Sequence, residues 1–153
     1  MNQTRDDKGG QVKVLVAYES RGGRTQRAAS AVADACRADG HDVTLLPLAQ
    51  VGQDEVEQCD VAAIGSWVEG FVLFAVKPAR AATRWLDQAP SLAGKPVGVF
   101  VTYAVNPRGS LGLLRSGVEA RGGKVVAEHS SRRQDPEAGA ADFAHRLVAA
   151  TAG

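Results

Sequence analysis

Residues that could bind a phosphate are concentrated in one loop, residues 20–25, which reads Ser-Arg-Gly-Gly-Arg-Thr. Ser20 and Thr25 can donate hydroxyl hydrogen bonds, Arg21 and Arg24 supply positive charge, and the two glycines let the backbone approach an anion closely. A short apolar run precedes the loop and alanine-rich, helix-forming sequence follows it. Backbone N–H groups in the first turn of such a helix favour anions. The pattern therefore predicts a phosphate site, and the alternative is an ordinary strand-to-helix turn with exposed arginines.

The elements that must position this loop form a repeating strand-and-helix pattern. Apolar runs predict strands at residues 13–18, 43–46, 59–64, 97–102 and 124–128. Helical spacing predicts helices from residue 25 to about residue 38, from Pro78 to about residue 88, from about residue 110 to residue 121, and from about residue 140 to residue 149. Residues 49–58 are expected to form a short acidic connection or helix. Five such alternations are typical of an α/β protein with a parallel sheet covered on both faces.

Two further loops follow the carboxyl ends of parallel strands, so we expect them at the same edge of the sheet as the phosphate loop. Ligands of open α/β sheets bind beyond this edge. Residues 66–70 follow the third strand and contain Trp67, and residues 102–109 follow the fourth strand and contain Tyr103. Either aromatic residue alone could belong to the core. Aromatic residues make up only 5% of the chain, so two on these loops favour a site for a flat ring that carries a phosphate.

The composition excludes several other classes of protein. A formal net charge of +1 provides no strong basic field for nucleic acid. Cys36 and Cys59 make neither a ligand cluster nor a disulfide framework, so no metal is expected. The longest strongly apolar run, residues 71–76, is too short to span a bilayer, and it could be core, a dimer interface or a partner surface. Residues 1–11 are interpreted as a disordered polar tail and residues 12–153 as one domain of a cytoplasmic protein.

From residue 12 to about residue 150, the chain resembles the flavodoxin-like family of FMN-binding proteins, of the short-chain type. The phosphate loop of that family, Thr/Ser-x-Thr-Gly-x-Thr, is matched by Ser20, Gly23 and Thr25, while Gly22 replaces the middle threonine. The loop is also similar to that of the flavodoxin-type, quinone-dependent protoporphyrinogen oxidases. The resemblance implies a three-layer sandwich with a five-stranded parallel sheet in the order 2-1-3-4-5 and helices on both faces.

The same resemblance implies FMN as the cofactor, with the flavin ring between Trp67 and Tyr103. No residue is assigned a catalytic role, and the Glu69–Gly70 peptide is expected to contact flavin N5. The residues expected to bind the cofactor are Ser20, Arg21, Gly22, Gly23, Arg24, Thr25, Ser66, Trp67, Val68, Glu69, Gly70, Thr102, Tyr103, Ala104 and Asn106.

Three functions stay open at this point. The first is an electron carrier whose partner is a redox protein or a quinone-like small molecule. The second is an FMN-dependent oxidoreductase that acts on a quinone or a porphyrinogen. The third is a flavin-free interaction module, because Gly22 removes one phosphate donor. His129, near the end of the fifth strand, could be a proton donor to a flavin or quinone, or a structural histidine.

Overall fold

The computed structural model of the chain describes residues 11–19, 23–69, 77–78, 91–103 and 108–151. A two-residue strand, Lys77–Pro78, pairs antiparallel with the end of the third parallel strand. The other elements, in chain order, are β1 (Lys13–Tyr18), α1 (Arg24–Ala38), β2 (Asp42–Pro47), a 3₁₀ turn (Leu48–Gln50), α2 (Gln53–Gln58), β3 (Val61–Glu69), β4 (Pro96–Tyr103), α3 (Arg108–Ala120), β5 (Lys124–Arg132) and α4 (Ala140–Ala149).

The five long strands form one parallel sheet in the order β2-β1-β3-β4-β5. This confirms the predicted α/β fold, with the strand order 2-1-3-4-5 and helices on both faces. The chain runs from β1 outward to β2 and then returns to β3 on the other side of β1. The strand order therefore reverses between β1 and β3, and the Glu19 N–H donates to the Gly65 carbonyl at this point (2.9 Å).

Two apolar cores lie on the two faces of the sheet. Alternation along β1 sends Val14 and Val16 to one face and Leu15 to the other. The first face, here called the α1 face, is covered by α1 and α4, with Phe143 and Leu147 of α4 fully buried. The second, the α3 face, is covered by α2 and α3. Because both faces of β1 must be buried, its apolar residues are continuous rather than alternating.

Three strands extend further toward the carboxyl edge of the sheet than their sequences indicated. The third strand continues to Glu69, the fourth to Tyr103 and the fifth to Arg132. Ser66 and Trp67, which were predicted in a loop, are instead paired with Val101 and Thr102 of β4. Thr102 and Tyr103 are paired with Ser131 and Arg132 of β5. Pairing with a neighbouring strand keeps these polar and aromatic residues extended, although the local sequence is not apolar.

Pro78 also differs from the prediction. It was expected to begin a helix, and it pairs with Val68 in the short antiparallel strand instead. The rest of that predicted helix, residues 79–88, and the apolar run 71–76 lie outside the described residues, as do residues 1–10 of the predicted tail. Within the described ranges, no helix is long and apolar enough to cross a membrane.

Gly65, in the middle of β3, makes room for an aromatic ring of the core. A Cβ atom at this position would overlap the ring of Phe100, which is buried and packs edge-on against Phe143, with ring centroids 5.7 Å apart. The ring has no space to withdraw because protein interiors are close-packed. Glycine is therefore required here by the space available to a side chain.

We expect Gly65→Ala to lower the free energy of unfolding by about 1–3 kcal/mol, because the added methyl group overpacks the core. The matched control is Gly112→Ala at an exposed position of α3, where an added Cβ meets nothing within 4 Å. That change should stabilise the protein by about 0.5–1 kcal/mol, since alanine is the better helix former. Urea denaturation of both variants measures the difference, and equal effects would contradict the packing argument.

Candidate functional site

The N-terminus of α1 brings backbone N–H groups to the carboxyl edge of the sheet. Gly23 is its N-cap, in the left-handed conformation with φ 85°, and its carbonyl accepts from the Arg27 N–H at 2.9 Å. No side-chain cap and no acidic residue occurs in the first turn of this 15-residue helix. The first-turn N–H groups and the positive end of the helix dipole therefore meet no carboxylate from their own helix.

The two arginines of this helix end differ in their surroundings. Arg27 makes a two-pronged ion pair with Glu137, with N–O distances of 2.8 and 3.0 Å. Arg24 is exposed, and among the described residues no carboxylate lies within ion-pair distance of it. Arg24 is thus the arginine of this turn whose charge is available to an anion. A groove of about 550 Å³ runs from this point along the exposed side of α1.

Thr25 lies beneath this helix end rather than on its surface. Its side chain is completely buried, and its Oγ1 is 2.9 Å from Oγ1 of Thr102, which is 3% exposed. The two hydroxyls share a hydrogen bond in which either can be the donor. This contact joins the first turn of α1 to the end of β4, and it brings together two predicted site residues 77 positions apart in sequence.

The two predicted ring-binding aromatics lie on neighbouring strands, Trp67 two residues before the end of β3 and Tyr103 as the last residue of β4. Trp67 and Tyr103 are both half-buried. Trp67 is in register with Thr102, which contacts α1, so Trp67 lies on the α1 face. Tyr103 follows Thr102 in the strand and therefore lies on the α3 face. The two aromatics project from opposite faces of the sheet, at adjacent strand ends.

Tyr103 has a cationic neighbour that the sequence did not indicate. The Arg132 guanidinium carbon lies 5.6 Å from the centre of the Tyr103 ring, and the two residues are in register on β4 and β5. The Arg133 N–H donates to the Tyr103 carbonyl at 2.8 Å. The ring is therefore held on one side by an arginine in a cation–π arrangement. This pairing was missed because β5 was expected to end at Glu128.

His129 has the surroundings of a structural residue. Its Nε2 is 2.9 Å from the Ala138 carbonyl, and its ring stacks on Phe143 with a centroid distance of 5.5 Å. Burial lowers the pKa of His129, with a smaller opposing contribution from the hydrogen bond to Ala138. A Cβ atom at Gly139, where φ is 79°, would collide with the same ring. Of the two interpretations of His129, the structural one accounts for these contacts.

The cysteines and acidic groups make no second site in the described part of the chain. Cys36 and Cys59 are buried free thiols. Burial raises the pKa of Cys36 to about 11 and also raises the pKa of Cys59. A thiol held in its protonated form is a poor nucleophile and metal ligand. The described residues contain no group of three or more His, Cys, Asp or Glu side chains that could hold a metal ion.

The predicted cofactor residues thus divide into three groups. Gly23, Arg24, Thr25 and Thr102 lie together around the start of α1, with Trp67 and Tyr103 at the neighbouring strand ends. Ser66 is fully buried, and its hydroxyl donates to the Trp67 carbonyl at 3.1 Å. Val68 and Glu69 were predicted in a loop, but they belong to β3 and pair with the short strand Lys77–Pro78. The remaining six lie outside the described residues: Ser20, Arg21, Gly22, Gly70, Ala104 and Asn106.

No protein-family model matches the chain, and no curated protein matches it by sequence. Solved structures do match. The two-electron reduced flavodoxin of Megasphaera elsdenii is similar with a TM-score of 0.73 and 22% identity, over 91% of this chain and 98% of the flavodoxin. A flavodoxin of Pseudomonas aeruginosa with a single cysteine-to-serine substitution has a TM-score of 0.72 and 19% identity, over 92% of this chain and 99% of that one.

A larger protein contains the same architecture. The rubredoxin oxygen:oxidoreductase of Desulfovibrio gigas matches with a TM-score of 0.74 and 15% identity, over 99% of this chain and 39% of that one. The strand order and these structural matches together show that the chain has the flavodoxin-like fold. The expected fold is confirmed.

Proposed function

We propose that this protein binds FMN at the carboxyl edge of its sheet and transfers electrons through the flavin. The proposal rests on the position of the N-terminus of α1, which has no acidic residue in its first turn and lies where the strand order reverses, beside the ends of β3 and β4. Ligands of doubly wound sheets bind at this switch point, and helix N-termini bind phosphate. The structurally similar flavodoxins named above support the choice of a flavin.

The described residues fit a flavin phosphate at one end of the site and a flat ring at the other. Arg24 and the first-turn N–H groups would hold the phosphate, together with the neighbouring loop residues Ser20, Arg21, Gly22, Gly23 and Thr25. Trp67 and Tyr103 project from opposite faces of the sheet and would hold the ring between them. The polar edge of the ring would face residues near the ends of β3 and β4, namely Ser66, Val68, Glu69, Gly70, Ala104 and Asn106.

When bound, FMN supplies the one- and two-electron chemistry, and the chain supplies binding, orientation and tuning of the potential. The two hydrogen-bonded hydroxyls, Thr25 and Thr102, stay beneath the site and support its floor. Half-buried aromatic residues limit the access of water to a ring held between them. Arg132 lies over the ring of Tyr103 in a cation–π contact that favours this orientation of the ring.

The compartment, the domain and the partner are proposed on separate grounds. Two buried free thiols support a reducing compartment such as the cytoplasm.

We propose residues 12–153 as the flavin-binding domain, since Val12 already contributes to the core. The partner would be a redox protein or a quinone-like small molecule. Oxidation of NAD(P)H or a quinol by the purified protein would favour the oxidoreductase alternative over the carrier.

The role of the helix end is tested by a pair of glycines at the two ends of α1. Gly23 and Gly40 have nearly the same positive φ, 85° and 88°, and an added Cβ meets nothing within 4 Å at either position. Alanine should cost each variant about 1–2 kcal/mol of stability through backbone strain alone. We expect Gly23→Ala to weaken FMN binding roughly tenfold because the first turn is displaced, and Gly40→Ala to leave it unchanged.

Fluorescence titration of the two apoproteins with FMN measures this difference, and thermal unfolding confirms that the two variants are equally destabilised. Equal FMN affinities for Gly23→Ala and Gly40→Ala would contradict a phosphate site at the start of α1. Loss of FMN binding in both variants would mean that stability rather than the helix end controls the affinity.

The ring-binding role of Trp67 and Tyr103 predicts a change in redox potential. Electron-rich rings beside the flavin disfavour the negative charge that accumulates during reduction, and so they lower the potential. We therefore expect Trp67→Ala and Tyr103→Ala each to raise the midpoint potential, as measured by spectroelectrochemical titration. Trp67→Phe and Tyr103→Phe keep a ring at each position and should shift the potential less. An unmoved potential in both alanine variants would refute this assignment.

A further inference from the structure

We propose that Thr102 is a positioning residue for the phosphate subsite and acts through Thr25. This inference rests on the proposed FMN site and adds a residue whose role differs from the one expected from sequence. Thr102 was assigned to the polar edge of the flavin ring. Its hydroxyl is instead buried and bonded to Thr25 at 2.9 Å, so it acts on the helix end rather than on the ring.

The geometry of the pair explains how a residue on β4 can act on the start of α1. Thr25 is the second residue of α1, and its backbone N–H belongs to the first turn, which has no intrahelical acceptor for it. Its side chain is fixed on the sheet because both hydroxyls are buried and each is the other's hydrogen-bond partner. A buried hydroxyl that loses its partner suffers a desolvation penalty, so the pair holds the first turn in one place.

Because the side chain of Thr25 is fully buried, the hydroxyl pair acts on an anion through the position of the first-turn N–H groups and not by direct contact.

The position of Thr102 connects the two ends of the proposed site. Thr102 is in register with Trp67 on β3 and directly precedes Tyr103 on β4. The Thr25–Thr102 bond therefore fixes the distance between the helix end and the two aromatic residues. A ligand that spans a phosphate subsite and a ring subsite is sensitive to that distance, because small misplacements weaken contacts at one end.

The test compares FMN with riboflavin, which has the same ring and no phosphate. Thr102→Val has the same shape as threonine and lacks the hydroxyl, so it should raise the Kd for FMN about tenfold and leave the Kd for riboflavin unchanged. Thr102→Ser keeps the hydroxyl and should restore FMN affinity to within about threefold of the wild type. Fluorescence quenching of each flavin by the apoproteins provides the dissociation constants.

A control variant separates positioning from general support of the fold. Thr151 carries a hydroxyl bonded to the Val148 carbonyl at 2.7 Å, after the end of α4 that points away from the carboxyl edge of the sheet. Thr151→Val should leave the affinities for both flavins unchanged. Thermal unfolding of the two valine variants shows how much stability each has lost.

Each outcome decides the role of Thr102. A rise in the FMN Kd alone, reversed by serine, supports the proposal. An unchanged FMN Kd, or an equal rise for FMN and riboflavin, overturns the phosphate-specific role while leaving the FMN site intact. A wild-type protein that binds neither flavin overturns the proposed function itself, and the role of Thr102 with it.

Discussion

The structure depends on the burial of both faces of β1. Its apolar residues are continuous, so helices must cover the sheet on both faces. After each strand the chain therefore crosses back over one face, and the next strand begins at the same edge of the sheet. This constraint puts the carboxyl ends of all five strands together. It also puts the N-terminus of α1 at that edge, next to the point where the strand order reverses. The donor site at the helix end is therefore a consequence of the way the sheet is buried.

The same edge contains contacts between residues that are far apart in sequence. Thr25 on α1 bonds to Thr102 on β4, Arg27 on α1 pairs with Glu137 before α4, and Arg132 on β5 holds Tyr103. Each contact connects elements from different parts of the chain. Together they make the carboxyl edge a connected surface, in which the position of the helix end and the positions of the two aromatics depend on one another.

The class of fold could be predicted because its signals are local. Continuous apolar runs, helical spacing and the glycines after helices are visible in the sequence, and they predicted β1 and α4 with their observed bounds. The lengths of β3 and β5 could not be predicted, because residues such as Trp67 and Arg132 are extended only through pairing with a neighbour. Sequence identified Thr25 and Thr102 as site residues but not their contact, since a hydrogen bond over 77 positions leaves no local pattern.

This edge of the sheet is proposed to hold a flavin by its phosphate and its ring. The test is titration of the apoprotein with FMN while the fluorescence of the flavin is followed. We predict quenching that saturates with one FMN per chain. No quenching with FMN in large excess would contradict the claim, and the chain would then be a flavodoxin-like fold without its cofactor, acting as an interaction module.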